Sequence, residues 1–146
     1  MRNQKQARRE TLAEICRRNR VPLTVQRRLI LEVLAGRRDH PAADQIYRAV
    51  GERLPGLSRT TVYRVLDALM RHGLVGRVNQ PGAVARFEAR TERHHHLVCR
   101  SCQKITDIES VRLDRLPVPK RSGFRISDYS VYFTGTCKDC GERSKR

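Results

Sequence analysis

Apolar positions in the first half of the chain recur at helical spacing, and each run is bracketed by residues that start or stop a helix. Leu12, Ile15 and Cys16 form a short apolar stripe inside the basic segment RRETLAEICRRNR. Thr24 stands as an N-cap before VQRRLILEVLAG, which ends at Gly36. In AADQIYRAVGERLPG, Ile46, Val50 and Leu54 recur at every fourth position until Pro55-Gly56 ends the run. In SRTTVYRVLDALMRHGLV, Ser58 can cap a helix, and Val62, Val65, Leu66 and Leu69 follow the spacing of a buried face up to Gly73. Two short apolar runs then flank Asn79-Gln80-Pro81-Gly82, which predicts a hairpin. Three or four helices followed by a hairpin is the order of a winged helix-turn-helix.

The second half changes period. HHHLVC, KITDIE and FRISDYSVYFTGTC are rich in β-branched and aromatic residues and predict strands. Between the last two, SVRLDRLPVPKRSG can begin a short helix, but Pro117 and Pro119 prevent a long one. The pattern predicts an α+β chain, with an N-terminal winged helix-turn-helix domain over 1–88, a hinge at 89–93, and a small α/β domain over 94–146. No run of about eighteen apolar residues occurs, so no membrane-spanning helix is expected. The charged N-terminus MRNQKQARRE leads into no apolar signal core, and the reading is a soluble, cytoplasmic protein.

Charge narrows the choice of partner. The net charge is +16, from 31 Lys and Arg against 15 Asp and Glu. The excess is spread along the chain: residues 1–76 hold 16 basic and 7 acidic side chains, and residues 77–146 hold 15 and 8. Such a balance favours a polyanion, because each cation placed on a phosphate releases condensed counterions. A merely solubilising surface is the alternative. On the fourth helix, the side opposite the apolar face carries Thr60, Tyr63, Arg64, Asp67 and Arg71, with Arg59 and Thr61 in the first turn. Hydroxyls and arginines bond phosphates and base edges, and the free N–H groups of a helix start favour phosphate. Arg77 and Arg86 on the hairpin, and Arg17, Arg18, Arg27 and Arg28 upstream, would supply backbone contacts. An ordinary amphipathic helix with a solvated polar face fits the same pattern, but the hairpin and the charge favour DNA.

Five cysteines with no export signal argue against a disulfide framework. Four form the pairs Cys99-x-x-Cys102 and Cys137-x-x-Cys140, separated by 34 residues. Two such knuckles complete a tetrahedron of thiolates around Zn²⁺, which has no redox chemistry of its own, so a structural role is expected. Cys16 stands alone in its apolar stripe and reads as a buried structural thiol. The histidines need a separate account. If 94–99 is a strand, alternation sends His94 and His96 to one face and His95 and Cys99 to the other. The histidine pair then serves a different site, for which the chain offers His40, Glu88 and Asp107 as further donors. A mixed nitrogen and oxygen set suits Fe²⁺, Mn²⁺ or Zn²⁺, and solvent-exposed histidines remain the plain alternative.

Taken in order, DHPAADQIY, SRTTVYRVLDALMRHGLV, ARFE, HHHLVCRSCQKITDIE and TGTCKDC resemble the motifs of the ferric uptake regulator (Fur) family over about residues 12–141. Members are dimeric, metal-dependent transcription regulators with an N-terminal winged helix and a C-terminal dimerisation domain. The resemblance implies structural zinc at Cys99, Cys102, Cys137 and Cys140. It also implies a regulatory metal, Fe²⁺ or Mn²⁺ with Zn²⁺ admissible, between the two domains at His40, Glu88, His94, His96 and Asp107. The aspartate of KITD resembles the peroxide-sensing branch, in which bound Fe²⁺ reacts with hydrogen peroxide and a ligand histidine is oxidised; His40 and His94 would be the targets. Glu88 stands where that branch often has aspartate, and the arginine of TVYR is common among iron-uptake regulators. A last-strand histidine that many iron-type members carry is replaced here by Asp128 or Tyr129. The implied function is a metal-dependent repressor on a double-stranded DNA operator, using Arg59, Thr60, Thr61, Tyr63, Arg64, Arg27 and Arg77. The alternative is an iron- or zinc-responsive repressor of metal uptake without histidine oxidation.

Two other classes compete. A basic zinc-ribbon RNA-binding protein accounts for the cysteines and the charge but leaves the nitrogen and oxygen donors without a task. A zinc hydrolase would use those donors to activate water, yet no additional general acid or substrate pocket signal accompanies them. The reading is therefore not an enzyme.

Overall fold

The structure is a computed structural model describing residues 11–78, 82–89, 92–117, 119–120 and 123–144. The chain divides into two compact units, Met1–Thr91 and Glu92–Arg146.

In the first unit, α1 (Leu12–Arg18), α2 (Val25–Ala35), α3 (Ala43–Gly51) and α4 (Arg59–Arg71) precede a two-stranded hairpin. Thr11, Thr24 and Ser58 cap α1, α2 and α4 by accepting the backbone N–H of Glu14, Arg27 and Thr61. Each such cap contributes about 1 kcal/mol. The apolar faces meet as the spacing requires: Leu29, Ile30, Leu31 and Leu34 of α2, Ile46 and Val50 of α3, and Val62, Leu66 and Leu69 of α4 are buried together. Val65 and Leu54 are only half-buried against this core. Cys16 lies within it.

Gly73, at φ +68°, turns the chain out of α4, a conformation that a side chain would strain. Leu74 and Val75, just ahead of the hairpin, and Phe87 on its second strand close the core. Its strands β1 (Gly76–Val78) and β2 (Arg86–Glu88) pair antiparallel with Arg77 opposite Phe87. Residues 79–81 of the turn expected over Asn79-Gln80-Pro81-Gly82 lie outside the described residues, as do 90 and 91 of the expected hinge. β2 is also stitched to the segment ahead of α3. Ala42 bridges Arg86, and the Phe87 N–H donates to the Pro41 carbonyl at 3.0 Å.

In the second unit, β3 (His95–Cys99) is the middle strand of a three-stranded sheet. It pairs antiparallel with β4 (Ile105–Ile108) and parallel with β5 (Tyr132–Gly135). A single 3₁₀ turn, Leu113–Arg115, takes the place of the short helix, and α5 (Lys138–Arg143) follows β5.

Two expectations change here. The strand read over FRISDYSVYFTGTC shrinks to Tyr132–Gly135, because β3 begins at His95 and residues before Val131 run past its end with no strand beside them. TCKDC turns into α5, with Cys137 at the N-cap, Asp139 in the first turn and Arg143 in the last, charges that suit the helix dipole.

Candidate metal centres and DNA-reading helix

The four paired cysteines come together at one end of the sheet. Cys99 ends β3, and the Gln103 N–H donates back to the Cys99 carbonyl at 2.9 Å, with Gln103 at φ +60°, folding Cys102 back towards the strand. Cys137 starts α5 and Cys140 follows one turn later. The Cys137 N–H donates to the Cys99 sulfur at 3.3 Å, and the sulfurs of Cys102 and Cys137 are 3.7 Å apart. All four sulfurs lie within 4.8 Å of one another, and none is in a disulfide. Zn–S bonds of about 2.3 Å give a tetrahedron with edges of about 3.8 Å, so the spacing fits zinc.

Ionisation points the same way. The Cys102 N–H, followed by that of Cys137, pulls the Cys99 thiol down to about 6. The side chains of Cys137 and Cys102 push the Cys140 thiol up to about 12. A cluster that gives up one proton easily and holds another tightly needs a cation to become four thiolates.

The nitrogen and oxygen donors are arranged within each unit. In the first, His40 stands at φ +51° just before Pro41, and its Nε2 lies 2.9 Å from Glu88 Oε2. The bond of β2 to Pro41 is what brings these two side chains, 48 positions apart, into register. In the second, β3 and β4 pair His96 with Asp107. The Nε2 atoms of His94 and His96 lie 3.7 and 3.8 Å from the same Asp107 Oδ1. These separations are too long for hydrogen bonds and suit donors around an ion with bonds of about 2.1 Å. His94 Nδ1 lies 2.7 Å from the Glu92 carbonyl; as the donor there, it leaves Nε2 free of its proton for a metal. That orienting carbonyl belongs to the backbone, and no side-chain pattern announces it.

His95 turns elsewhere. It is fully buried, with Nε2 3.0 Å from Asp114 Oδ1 and Nδ1 accepting the Val131 N–H at 3.2 Å. Its ring stacks on Tyr129, over which lies the Arg93 guanidinium, itself bonded to Asp128 at 2.8 Å. Asp128 and Tyr129 are thus occupied by an arginine and a structural histidine.

On α4, Ser58 holds the first turn through Thr61, both by its cap and by a 2.8 Å hydroxyl contact. Thr60, Tyr63 and Arg64 are exposed, opposite Val62, Leu66 and Leu69. Arg77 on β1 is exposed as well. Arg27 donates to the Pro22 carbonyl at 2.8 Å. Arg86, also expected to reach DNA, is half-buried and donates to the His40 carbonyl at 3.3 Å. Arg59 forms an ion pair with Asp44 and lies 5.0 Å over the Tyr47 ring.

The ferric uptake regulator family model matches residues 18–134. The chain belongs to the ferric uptake regulator family. It is 34% identical over 125 residues to the peroxide operon regulator of Bacillus subtilis, covering 84% of this chain and 86% of that protein. It is 42% identical over 106 residues to the transcriptional regulator FurA of Mycobacterium tuberculosis, covering 69% and 72%. The structure of the ferric uptake regulator from Pseudomonas aeruginosa with manganese superposes with a TM-score of 0.68 at 27% identity, covering 88% of this chain and 99% of that one. Fur-family proteins are metal-responsive, DNA-binding dimeric regulators, and the α+β architecture with a four-cysteine cluster spaced for zinc agrees with that membership. Among the described residues no helix is long and apolar enough to cross a membrane.

Proposed function

We propose that this chain is a cytoplasmic, homodimeric, metal-dependent repressor that binds a double-stranded DNA operator and senses hydrogen peroxide through oxidation of a ligand histidine. The observation that carries the reading is Asp107, whose carboxylate faces both His94 and His96. The likeness to the Bacillus subtilis peroxide operon regulator supports the stimulus.

Cys99, Cys102, Cys137 and Cys140 hold structural Zn²⁺. His40 and Glu88 from the first unit, with His94, His96 and Asp107 from the second, supply one regulatory ion. An ion with ligands from both units favours whichever conformation lets all five bind, and DNA affinity follows that choice. Fe²⁺ held by these five residues would supply the activation of hydrogen peroxide that Mn²⁺ would not, so oxidation is expected of the iron form alone. Peroxide delivers one oxygen atom to a ring carbon of His40 or His94 and leaves as water. The altered ring is a poorer ligand, and the DNA-competent form loses its bias. Arg59, Thr60, Thr61, Tyr63 and Arg64 on α4 meet the DNA, with Arg27 and Arg77 beside them. The exposed Leu97 and Phe133 on the sheet suit burial against a second copy. No residue is assigned to turnover of a substrate.

The test is anaerobic DNA binding by protein loaded with Fe²⁺ or Mn²⁺, before and after a small dose of peroxide, with peptide masses read over His40 and His94. Release of DNA by the iron form alone, with the mass of one oxygen gained on a histidine, is expected. If both forms hold DNA and neither histidine changes, the protein reports iron or zinc supply instead.

A further inference from the structure

Among the polar residues on the exposed side of α4, Arg59 is held differently from the rest. It is the first residue of the helix, directly after the Ser58 cap. A cation there is opposed by the helix dipole, which favours negative charge at that end. The compensation comes from α3. Asp44 and Tyr47 stand three residues apart on that helix and therefore share a face. Asp44 Oδ1 takes the Arg59 Nη1 edge, and Tyr47 covers one face of the guanidinium at 5.0 Å. The Nε and Nη2 hydrogens carry no other bond within the described chain. Arg64, five residues further along, has no such clamp among the described residues and stands exposed.

This clamp adds little to stability, because both partners are about half exposed, at 55% and 53%, and exposed ion pairs are heavily screened. Nor does it suit a phosphate contact. A phosphate anchor needs a net positive charge, and a carboxylate bonded to the guanidinium subtracts that charge from the attraction. A base contact has the opposite requirement. Bidentate reading of guanine O6 and N7 in the major groove needs the planar fork held at a fixed angle, while net charge matters less.

We propose that Arg59 is a specificity-determining residue that reads a guanine, and that Asp44 and Tyr47 are the positioning residues that aim it. The assignment rests on the reading of α4 as the DNA-contacting helix. It gives α3 a part in choosing the operator without touching a base.

The experiment uses the full-length, zinc- and manganese-loaded protein. Wild type, Arg59→Lys and Asp44→Asn each select sites from a random duplex DNA pool. Affinities for the selected site, and for the same site with one guanine replaced, are then titrated at several salt concentrations. Both substitutions are on exposed side chains, and melting temperatures check the fold. Wild type is expected to select a guanine whose replacement weakens binding about tenfold or more. Lysine keeps the charge but not the fork, so Arg59→Lys is expected to lose that discrimination with the salt slope unchanged. Asp44→Asn is expected to blunt the discrimination and, by unmasking a cation, to steepen the slope by up to about one unit.

The proposal is overturned if Arg59→Lys keeps the guanine preference. It is also overturned if Asp44→Asn raises affinity equally on every sequence, which would make Asp44 only a moderator of charge. If wild type selects no site at all, the DNA-binding reading itself fails and takes this proposal with it. Selection by wild type with an unchanged preference in Arg59→Lys sinks this proposal alone.

Discussion

Neither Cys16 nor Cys99 is in a disulfide, yet their surroundings push the two thiols in opposite directions. Burial pushes the Cys16 thiol up, while donated N–H groups pull Cys99 down to about 6. A raised thiol stays protonated at neutral pH and gains its reactive thiolate only as pH climbs past the ordinary cysteine range. Iodoacetamide at neutral pH is therefore expected to leave Cys16 unmodified in the zinc-loaded protein and to modify it once the chain is unfolded, as peptide masses would report. Modification of folded Cys16 at the rate of a free thiol would remove it from the core. At this scale much was legible beforehand. Thr24 and Ser58 were readable as caps because a cap is a local pattern of one hydroxyl ahead of an apolar period. The tie of Arg86 to the His40 carbonyl was not, since only the folded path of β2 beside Pro41 brings a backbone carbonyl there.

Helix α4 buries one face in the core and exposes the other, the face proposed to meet DNA, so substitutions on it should divide cleanly. Leu66→Ala removes a fully buried side chain and is expected to destabilise the first unit by about 2–5 kcal/mol in denaturant unfolding. Tyr63→Ala and Arg64→Ala, on the exposed side, are expected to leave the unfolding midpoint within experimental error while weakening DNA binding. A large stability loss in either would move that residue from the DNA face to the fold. Ser58→Ala is expected to cost about 1 kcal/mol through the lost cap, read from the same unfolding curves. Helices were the readable elements, because their period of 3.6 residues repeats within each run. Strands were less so. Composition alone extended β5 back through Phe124, but a strand exists only where a neighbour offers hydrogen bonds, and β3 ends that offer at His95. α5 was hidden because the spacing of Cys137 and Cys140, which signals a metal knuckle, also fits one helical turn.

The two units differ in how each can be stable alone. The first buries a broad apolar core from four helices and a hairpin. Among the described residues of the second, the buried apolar side chains are Val98, Cys99 and Ile105. A sheet with so little core needs a staple, and the four cysteines proposed to hold zinc are placed to be one. Stripping zinc with a chelator is expected to abolish hydrogen-exchange protection over His95–Ile108 while α2, α3 and α4 stay protected. Equal protection with and without zinc would show that the sheet stands by its own packing. Strand β3 has a further consequence. Its few residues carry His96 near one end and Cys99 at the other, both fixed to their neighbours by register. Substitutions along this rail change one side chain at a time, but a single inserted residue changes phase, turning one set of donors to the opposite side of the sheet. The spacing from His96 to Cys99 is thus a length that evolution can repaint but cannot stretch.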